Sequence, residues 1–233
     1  MAPSTSLPLL LFSRLYAIVD ADVAAALGWT PEALADAYLA GGARLLQVRA
    51  KNAASGILTA LCDTIVARAH AANGRVIVND RADVARLSGA SGVHVGQDDL
   101  SVSGARAVLG PDATVGLSTH TAAQVDAALA QPISYLAVGP VFGTFTKDTG
   151  YRAVGLELVR YAAEAVARAV ASGRLGGPCP IVGIGGVTLD RAASVIDAGA
   201  ASVAVISDLT ATGDPEGRVR AYLELLESPW RSI

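Results

Sequence analysis

Eight short runs of almost continuously apolar residues, separated by segments with helical spacing, constrain this chain more than any other feature. They are Leu15–Val19, Leu45–Val48, Val76–Val78, Gly92–Val95, Thr114–Leu117, Tyr135–Val138, Ile181–Ile184 and Ser202–Ile206. Between them, stretches such as Pro31–Ala40, Ile57–Ala72 and Leu156–Ala171 are Ala-rich with apolar residues three and four apart, the pattern of a helix with one buried face. Start and stop signals agree. Thr30-Pro31-Glu32 supplies an N-cap and a proline at the first turn, and Gly41-Gly42 and Gly199 follow helical stretches. A strand that is apolar throughout must be covered on both faces, and alternating helices provide that cover around a parallel sheet. Eight such units, with about eight helices, suit a single-domain α/β fold, the closed (β/α)8 or TIM barrel. The expected division is an N-terminal arm at 1–12 and a catalytic barrel at 13–233. The rival is a doubly wound open sheet. Its dinucleotide-binding form needs G-x-G-x-x-G after the first strand, where this chain has "IVDADVAAALG".

Composition narrows the function classes. Hydrophobic residues make up 52% and charged residues 17%, which suits elements buried on several sides. A net charge of −3, with no basic run and 5% aromatics, provides neither the stripe nor the stacking platform that nucleic acid requires. Cys62 and Cys179 lie far apart with no CxxC or His cluster and read as reduced thiols. The start "MAPSTSLPLLLFSRLYAIVD" lacks a basic leader, and no run reaches the roughly 18 apolar residues of a membrane span. A cytoplasmic enzyme without a membrane partner is expected; a homo-oligomer is left open.

The polar residues then fall in one place. In "RVIVNDRADV" a buried-looking strand stops on Asn79, Asp80 and Arg81 in succession. Strand two ends in Gln47, Arg49 and Lys51, which period-two spacing puts on one side. Strand four runs into Gly96-Gln97-Asp98-Asp99, strand five ends at Ser118, and strand six leads to "GPVFGTFTKDTG". Strand seven leads to Gly185-Gly186, and strand eight to Ile206-Ser207. In a barrel these are the carboxyl ends, where active sites lie. Each feature has an ordinary alternative. Arg49 and Lys51 read equally as solvated loop charges, Asp80 and Asp99 as helix N-caps, and Gly185-Gly186 as a tight turn. Of the histidines, His70 reads as a surface residue, His94 as a packed strand residue, and His120 as a turn residue.

Taken together, two carboxylates on adjacent strand ends beside basic residues describe a Mg²⁺ and phosphate site. Mg²⁺ takes oxygen ligands, usually one or two carboxylates with substrate phosphates and water. Arg49 and Lys51 would neutralise the remaining phosphate charge. Glycines after strand seven and a serine after strand eight suit a second phosphate, held on backbone N–H groups. Between them "GTFTKDTG", residues 143–150, has the hydroxyls and the ammonium of a closing loop. Two phosphate-handling regions across one mouth point to two small-molecule substrates, one carrying a metal-bound diphosphate.

These residues resemble the thiamine-phosphate synthase (thiamine-phosphate pyrophosphorylase) family. The likeness runs through "LYAIVD", "LLQVRAKN", "VIVNDRADVARLSGASGVHVGQDD", "GLSTHT", "YLAVGPVFGTFTKDTG", "VGLELV" and "PIVGIGGVTLDRAASVIDAGAASVAVIS", about residues 14–207. It implies a (β/α)8 transferase of thiamine biosynthesis. Such an enzyme joins 4-amino-2-methyl-5-hydroxymethylpyrimidine diphosphate to 4-methyl-5-(2-phosphoethyl)thiazole, expected in its carboxylated form, and releases pyrophosphate. It further implies that Gln47, Arg49, Lys51 and Asn79 bind the pyrimidine diphosphate and that Asp80 and Asp99 hold Mg²⁺, with Asp98 the weaker choice. Ser118 and Lys147 are implied as diphosphate contacts, and Thr144, Thr146, Gly186, Ile206 and Ser207 as the thiazole-phosphate site.

The implied chemistry is dissociative: the diphosphate leaves, a pyrimidine methylene cation forms, and the thiazole nitrogen attacks it. Arg49, Lys51, Ser118 and Lys147 would then carry catalysis by stabilising the leaving group, and no Ser-His-Asp nucleophile is evident or required. The alternatives are a related thiazole tautomerase, using His120 to move a proton, and a non-catalytic phosphate sensor. Neither has use for the complete set Arg49, Lys51, Asp80, Asp99 and Lys147.

Overall fold

A computed structural model describes residues 13–143 and 152–227. Eight strands form its centre: β1 (Leu15–Asp20), β2 (Leu45–Arg49), β3 (Arg75–Asn79), β4 (Gly92–Val95), β5 (Thr114–Thr119), β6 (Tyr135–Val138), β7 (Ile181–Ile184) and β8 (Ser202–Val205). They pair in parallel in chain order and β8 closes on β1, so the sheet is a complete barrel, and the open-sheet rival is excluded. Helices alternate with them: α1 (Ala21–Ala26), α2 (Pro31–Ala40), α3 (Ser55–Ala71), α4 (Ala82–Leu87), α5 (Val102–Leu109), α6 (Ala122–Ala128), α7 (Gly155–Ala171), α8 (Leu189–Asp197) and α9 (Pro215–Glu227). A 3-10 turn at Ser207–Thr210 follows β8.

The strand readings hold to within a residue or two. β1, β2, β3 and β5 run one or two residues further towards their carboxyl ends than their apolar runs, and β8 stops at Val205 rather than Ile206. Among the described residues there are nine α-helices, one more than expected. The addition is α1, where the Asp20 side chain accepts from the Asp22 and Val23 amides and starts a helix directly from the strand end. Thr30 caps α2 as expected, accepting from the Ala33 amide.

Two apolar layers follow from the period of two along each strand. Outward residues such as Leu15, Ala17, Val19, Val76, Val78 and Val203 pack beneath the helices. Inward residues Ile18, Leu45, Ile77, Ala137, Val182 and Ala204 fill the barrel around Tyr16 and Tyr135. Room for Tyr135 comes from Gly116 on the neighbouring strand, where an added Cβ would stand 2.0 Å from the Tyr135 ring. Towards the carboxyl ends the inward positions become polar (Asp20, Gln47, Asn79, His94 and Ser118, all buried), and the packed core turns into a site. No helix among the described residues is long and apolar enough to cross a membrane. Cys62 and Cys179 are free thiols, and burial pushes both above the ordinary range, to about 12 and about 11. Residues 1–12, the expected arm, lie outside the described residues.

Candidate active site

The residues at the ends of β2, β3 and β4 form a charged wall. β3 stops on Asn79, and the backbone then turns through a left-handed conformation at Asp80, φ +63°, with the Asp80 amide bonded to the His94 carbonyl at 2.8 Å. That turn aims the carboxyl at Asp99 and Lys51. Lys51 Nζ lies 3.4 Å from Asp80 Oδ2. Burial, a side-chain hydrogen bond with Asp99 and the Asp99 charge push the Asp80 carboxyl above the usual carboxylate range, with Lys51 pulling it partly back.

The capping alternative fails for both aspartates. Arg81, not Asp80, is the N-cap residue of α4, and it uses its guanidinium on Asp83 and Ser55. Ser101 caps α5, while the Asp99 carboxylate accepts from the Gly96 amide at 2.8 Å. Arg49 is no solvated loop charge either. It is paired with the buried Asp20 carboxylate, and its Nε, also buried, has no hydrogen-bond partner among the described residues.

Across the mouth, the ends of β7 and β8 make a wall of backbone. Gly185 and Gly186 both take positive φ, +96° and +64°. A Cβ on Gly186 would stand 2.5 Å from the Gly143 carbonyl oxygen, and one on Gly185 2.5 Å from Pro140 Cβ. Val141 and Phe142 donate their amides to the Ile184 and Gly185 carbonyls, which ties this turn to the segment after β6. Asp208 anchors the turn after β8. Its carboxylate accepts from the Leu189 amide at 3.1 Å, Arg218 Nη2 at 2.8 Å and the Tyr222 hydroxyl at 2.6 Å.

Between the walls lies a cavity of about 240 Å³. Gln47, Arg49, Asn79 and Ser118 line it from one side, and Gly185, Gly186, Ile206 and Ser207 from the other. His120 lines it as well, its Nδ1 2.5 Å from the Gly139 carbonyl oxygen. A buried polar chain closes the floor. Gln47 Nε2 donates to Tyr16 Oη at 2.8 Å, Tyr16 Oη lies 3.2 Å from Tyr135 Oη, and Tyr135 Oη lies 2.8 Å from His94 Nδ1. His94 Nε2 in turn lies 2.8 Å from Ser118 Oγ.

The comparisons with known proteins decide the family. A family model described as thiamine monophosphate synthase matches residues 15–209. The chain belongs to that family. A thiamine-phosphate synthase of Koribacter versatilis is 40% identical over 233 residues, covering 98% of this chain and all of that one. One from Anaeromyxobacter dehalogenans is 43% identical over 202 residues, covering 84% and 85%. Among solved structures, a thiamine phosphate pyrophosphorylase of Pyrococcus furiosus superposes with a TM-score of 0.79 at 26% identity, covering 94% and 98%. These relatives lend the tautomerase alternative no support.

Most of the synthase-like residues named from sequence therefore converge: Gln47, Arg49, Asn79, Ser118, Gly186, Ile206 and Ser207 line the cavity, and Lys51, Asp80 and Asp99 meet one another beyond the ends of β2, β3 and β4. It is Asp99, not Asp98, that stands against Asp80. Thr144, Thr146 and Lys147 lie outside the described residues. The donor set fits Mg²⁺. Two carboxylates face each other with one lysine to offset them, and a divalent cation would turn that net negative charge into a net positive one that an anionic ligand can meet. Among the described residues no three His, Cys, Asp or Glu gather, as a protein-built zinc site would need. Four residues of the site were missed. Sequence reasoning gives Asp20, Tyr16 and Tyr135 no role of their own and takes His94 as a packed strand residue. Their one shared signal is a polar or hydroxyl-bearing residue at an inward position of an apolar strand.

Proposed function

We propose that this cavity joins a hydroxymethylpyrimidine diphosphate to a thiazole phosphate, forming thiamine phosphate and releasing pyrophosphate. One observation carries the reading: a wall of polar and charged side chains, ending in a carboxylate pair that Lys51 offsets only in part, faces a wall of glycine backbone across a single cavity. The first arrangement suits a metal-bound diphosphate and the second a phosphate monoester. The family's synthase relatives point the same way.

Asp80 and Asp99 would hold Mg²⁺, which when bound supplies positive charge to the departing diphosphate. The residues of the chain do the rest. Arg49, fixed by Asp20, keeps a buried N–H that has no partner among the described residues and offers it to a phosphoryl oxygen. Lys51 stands close enough to Asp80 to serve the metal-bound end. Asn79 and Gln47, both buried, present amides to the pyrimidine edge. Gly186, Ile206 and Ser207 take the thiazole phosphate; Thr144 and Thr146, assigned to the same phosphate, and Lys147, assigned to the diphosphate, lie outside the described residues. Breaking the C–O bond to diphosphate needs charge stabilisation and two oriented reactants, not a protein nucleophile. A cytoplasmic setting fits this chemistry.

The test is direct. Purified protein mixed with both substrates and Mg²⁺ is expected to yield thiamine phosphate and pyrophosphate in equal amounts. No product alongside an active control synthase would overturn the reading.

A further inference from the structure

The polar chain under the cavity has a direction, and the direction has a consequence for the ligand. Tyr16 and Tyr135 are 1% and 0% exposed, and burial raises both phenols well above their ordinary range, so both remain protonated. Each phenol therefore has one proton to give, and a buried hydroxyl needs an acceptor for it. Gln47 presents Nε2 to Tyr16, and an amide nitrogen only donates. Tyr16 Oη, already accepting from Gln47, lies 3.2 Å from Tyr135 Oη, the acceptor that its own proton needs, so Tyr16 donates to Tyr135 in this scheme. Tyr135, accepting from Tyr16, spends its proton on His94 Nδ1. A neutral imidazole that accepts at Nδ1 carries its hydrogen on Nε2, and that hydrogen goes to Ser118 Oγ. Ser118 lines the cavity, and among the described residues of this chain of bonds its hydroxyl proton is the one left for a ligand.

We propose that Gln47, Tyr16, Tyr135, His94 and Ser118 form a one-way hydrogen-bond relay that fixes the His94 tautomer and makes Ser118 an outward donor to the diphosphate. The relay crosses the barrel interior from β2 through β1 and β6 to β4 and β5. It lets the amide on β2 set what the hydroxyl on β5 can do. Tyr16, Tyr135 and His94 are positioning residues in this scheme. The identity of the oxygen that Ser118 meets rests on the function proposed above; the direction of the relay does not.

Gln47→Glu is the informative change. A carboxylate at this position only accepts, and Arg49, two residues on and on the same cavity, favours its ionised form. Tyr16 then donates to Glu, Tyr135 to Tyr16, and His94 Nδ1–H to Tyr135. Nε2 becomes an acceptor and draws the Ser118 proton inward.

The tautomer of ¹⁵N-labelled His94 is read by NMR in the ligand-free full chain at pH 9. Wild type is expected as Nε2–H and Gln47→Glu as Nδ1–H. The double variant with Tyr16→Phe keeps the carboxylate but cuts the relay, and is expected to return to Nε2–H. Pyrophosphate affinity measured with Mg²⁺ should fall about tenfold or more in Gln47→Glu and recover in part in the double variant, as expected for a lost hydrogen bond to a charged oxygen. A merely electrostatic effect of Glu would leave the two variants equal and would overturn the relay. So would any wild-type state of His94 other than Nε2–H, a measurement that needs no variant to fold. If the tautomer switches as described but no thiamine phosphate forms, the relay stands and the function reading falls.

Discussion

The two walls of the cavity recognise anions by opposite means. At the ends of β2–β4 the work is done by side chains: Arg49 on Asp20, Lys51 on Asp80, Asp80 against Asp99. At the ends of β7 and β8 it is done by the absence of side chains, with Gly185 and Gly186 in conformations and spaces that exclude a Cβ. The first wall is vulnerable to deletion and the second to addition. Removing atoms from the charged wall should abolish chemistry with little effect on the fold. Adding a methyl to the glycine wall should displace one substrate and leave the other.

The largest effect belongs to the charged wall. Asp80→Ala is expected to lower Mg²⁺-dependent turnover by about a hundredfold or more, the scale of one lost electrostatic contact at a developing charge. Its circular dichroism should match wild type, since Asp80 caps no helix. Near-normal turnover would remove the metal role and, with it, the contrast between the walls.

Gly186→Ala tests the other wall. The new Cβ would meet the Gly143 carbonyl at 2.5 Å and Phe142 Cβ at 2.8 Å, at a positive φ that costs an L-residue about 1–2 kcal/mol. The expected outcome is a KM for the thiazole phosphate raised about tenfold, with pyrophosphate affinity little changed. Ser207→Ala, by contrast, should raise that KM only about twofold to fivefold, a loss of about 0.5–1 kcal/mol, because the backbone amides that remain keep most of the phosphate's contacts. Equal losses in the two variants would show that the second wall also depends on its side chain.

The walls also differ in how much of them could be read from the chain. The apolar runs placed all eight strands because burial on both faces leaves no other pattern, and the glycine pair and the aspartates stood out because each broke such a run. Asp20 did not stand out. Its partner Arg49 lies 29 residues away, and a single acid at a strand end has many ordinary uses. Tyr16 and Tyr135 are further from legible, 119 residues apart and joined only because barrel closure points both inward. Periodicity announces which side of a strand a residue faces. It does not announce which inward residues of distant strands meet, and the relay consists of such meetings.

Asp20→Asn sharpens the picture of the charged wall, with an effect smaller than that of Asp80→Ala. Asn is as good an N-cap as Asp, so α1 should persist while Arg49 loses its ionic anchor. The expected result is a fall in kcat of about tenfold with a smaller change in pyrophosphate affinity, since the guanidinium keeps its charge and loses its fixed aim. A fall in affinity larger than the fall in kcat would mean that Asp20 supports binding rather than orientation.

The smallest expected effect is a gain. Burial and Asp99 raise the Asp80 carboxyl above its unfolded value, so the unfolded chain gives up this proton first. The folded state is therefore penalised in full once pH has passed the folded value, and not at all below the unfolded one near about pH 4. Asp80→Asn lifts that penalty without removing atoms. Metal-free protein should melt higher by about 2–4 °C at pH 8 for a relief on the order of 1 kcal/mol, and the gain should shrink towards zero as the pH falls through the carboxyl range. Adding Mg²⁺ with pyrophosphate should reverse the order, because ligand held by the folded state stabilises wild type and not the variant. An Asp80→Asn protein that melts lower without metal would mean that the Lys51 contact outweighs the Asp99 repulsion, and that this wall is balanced before any cation arrives.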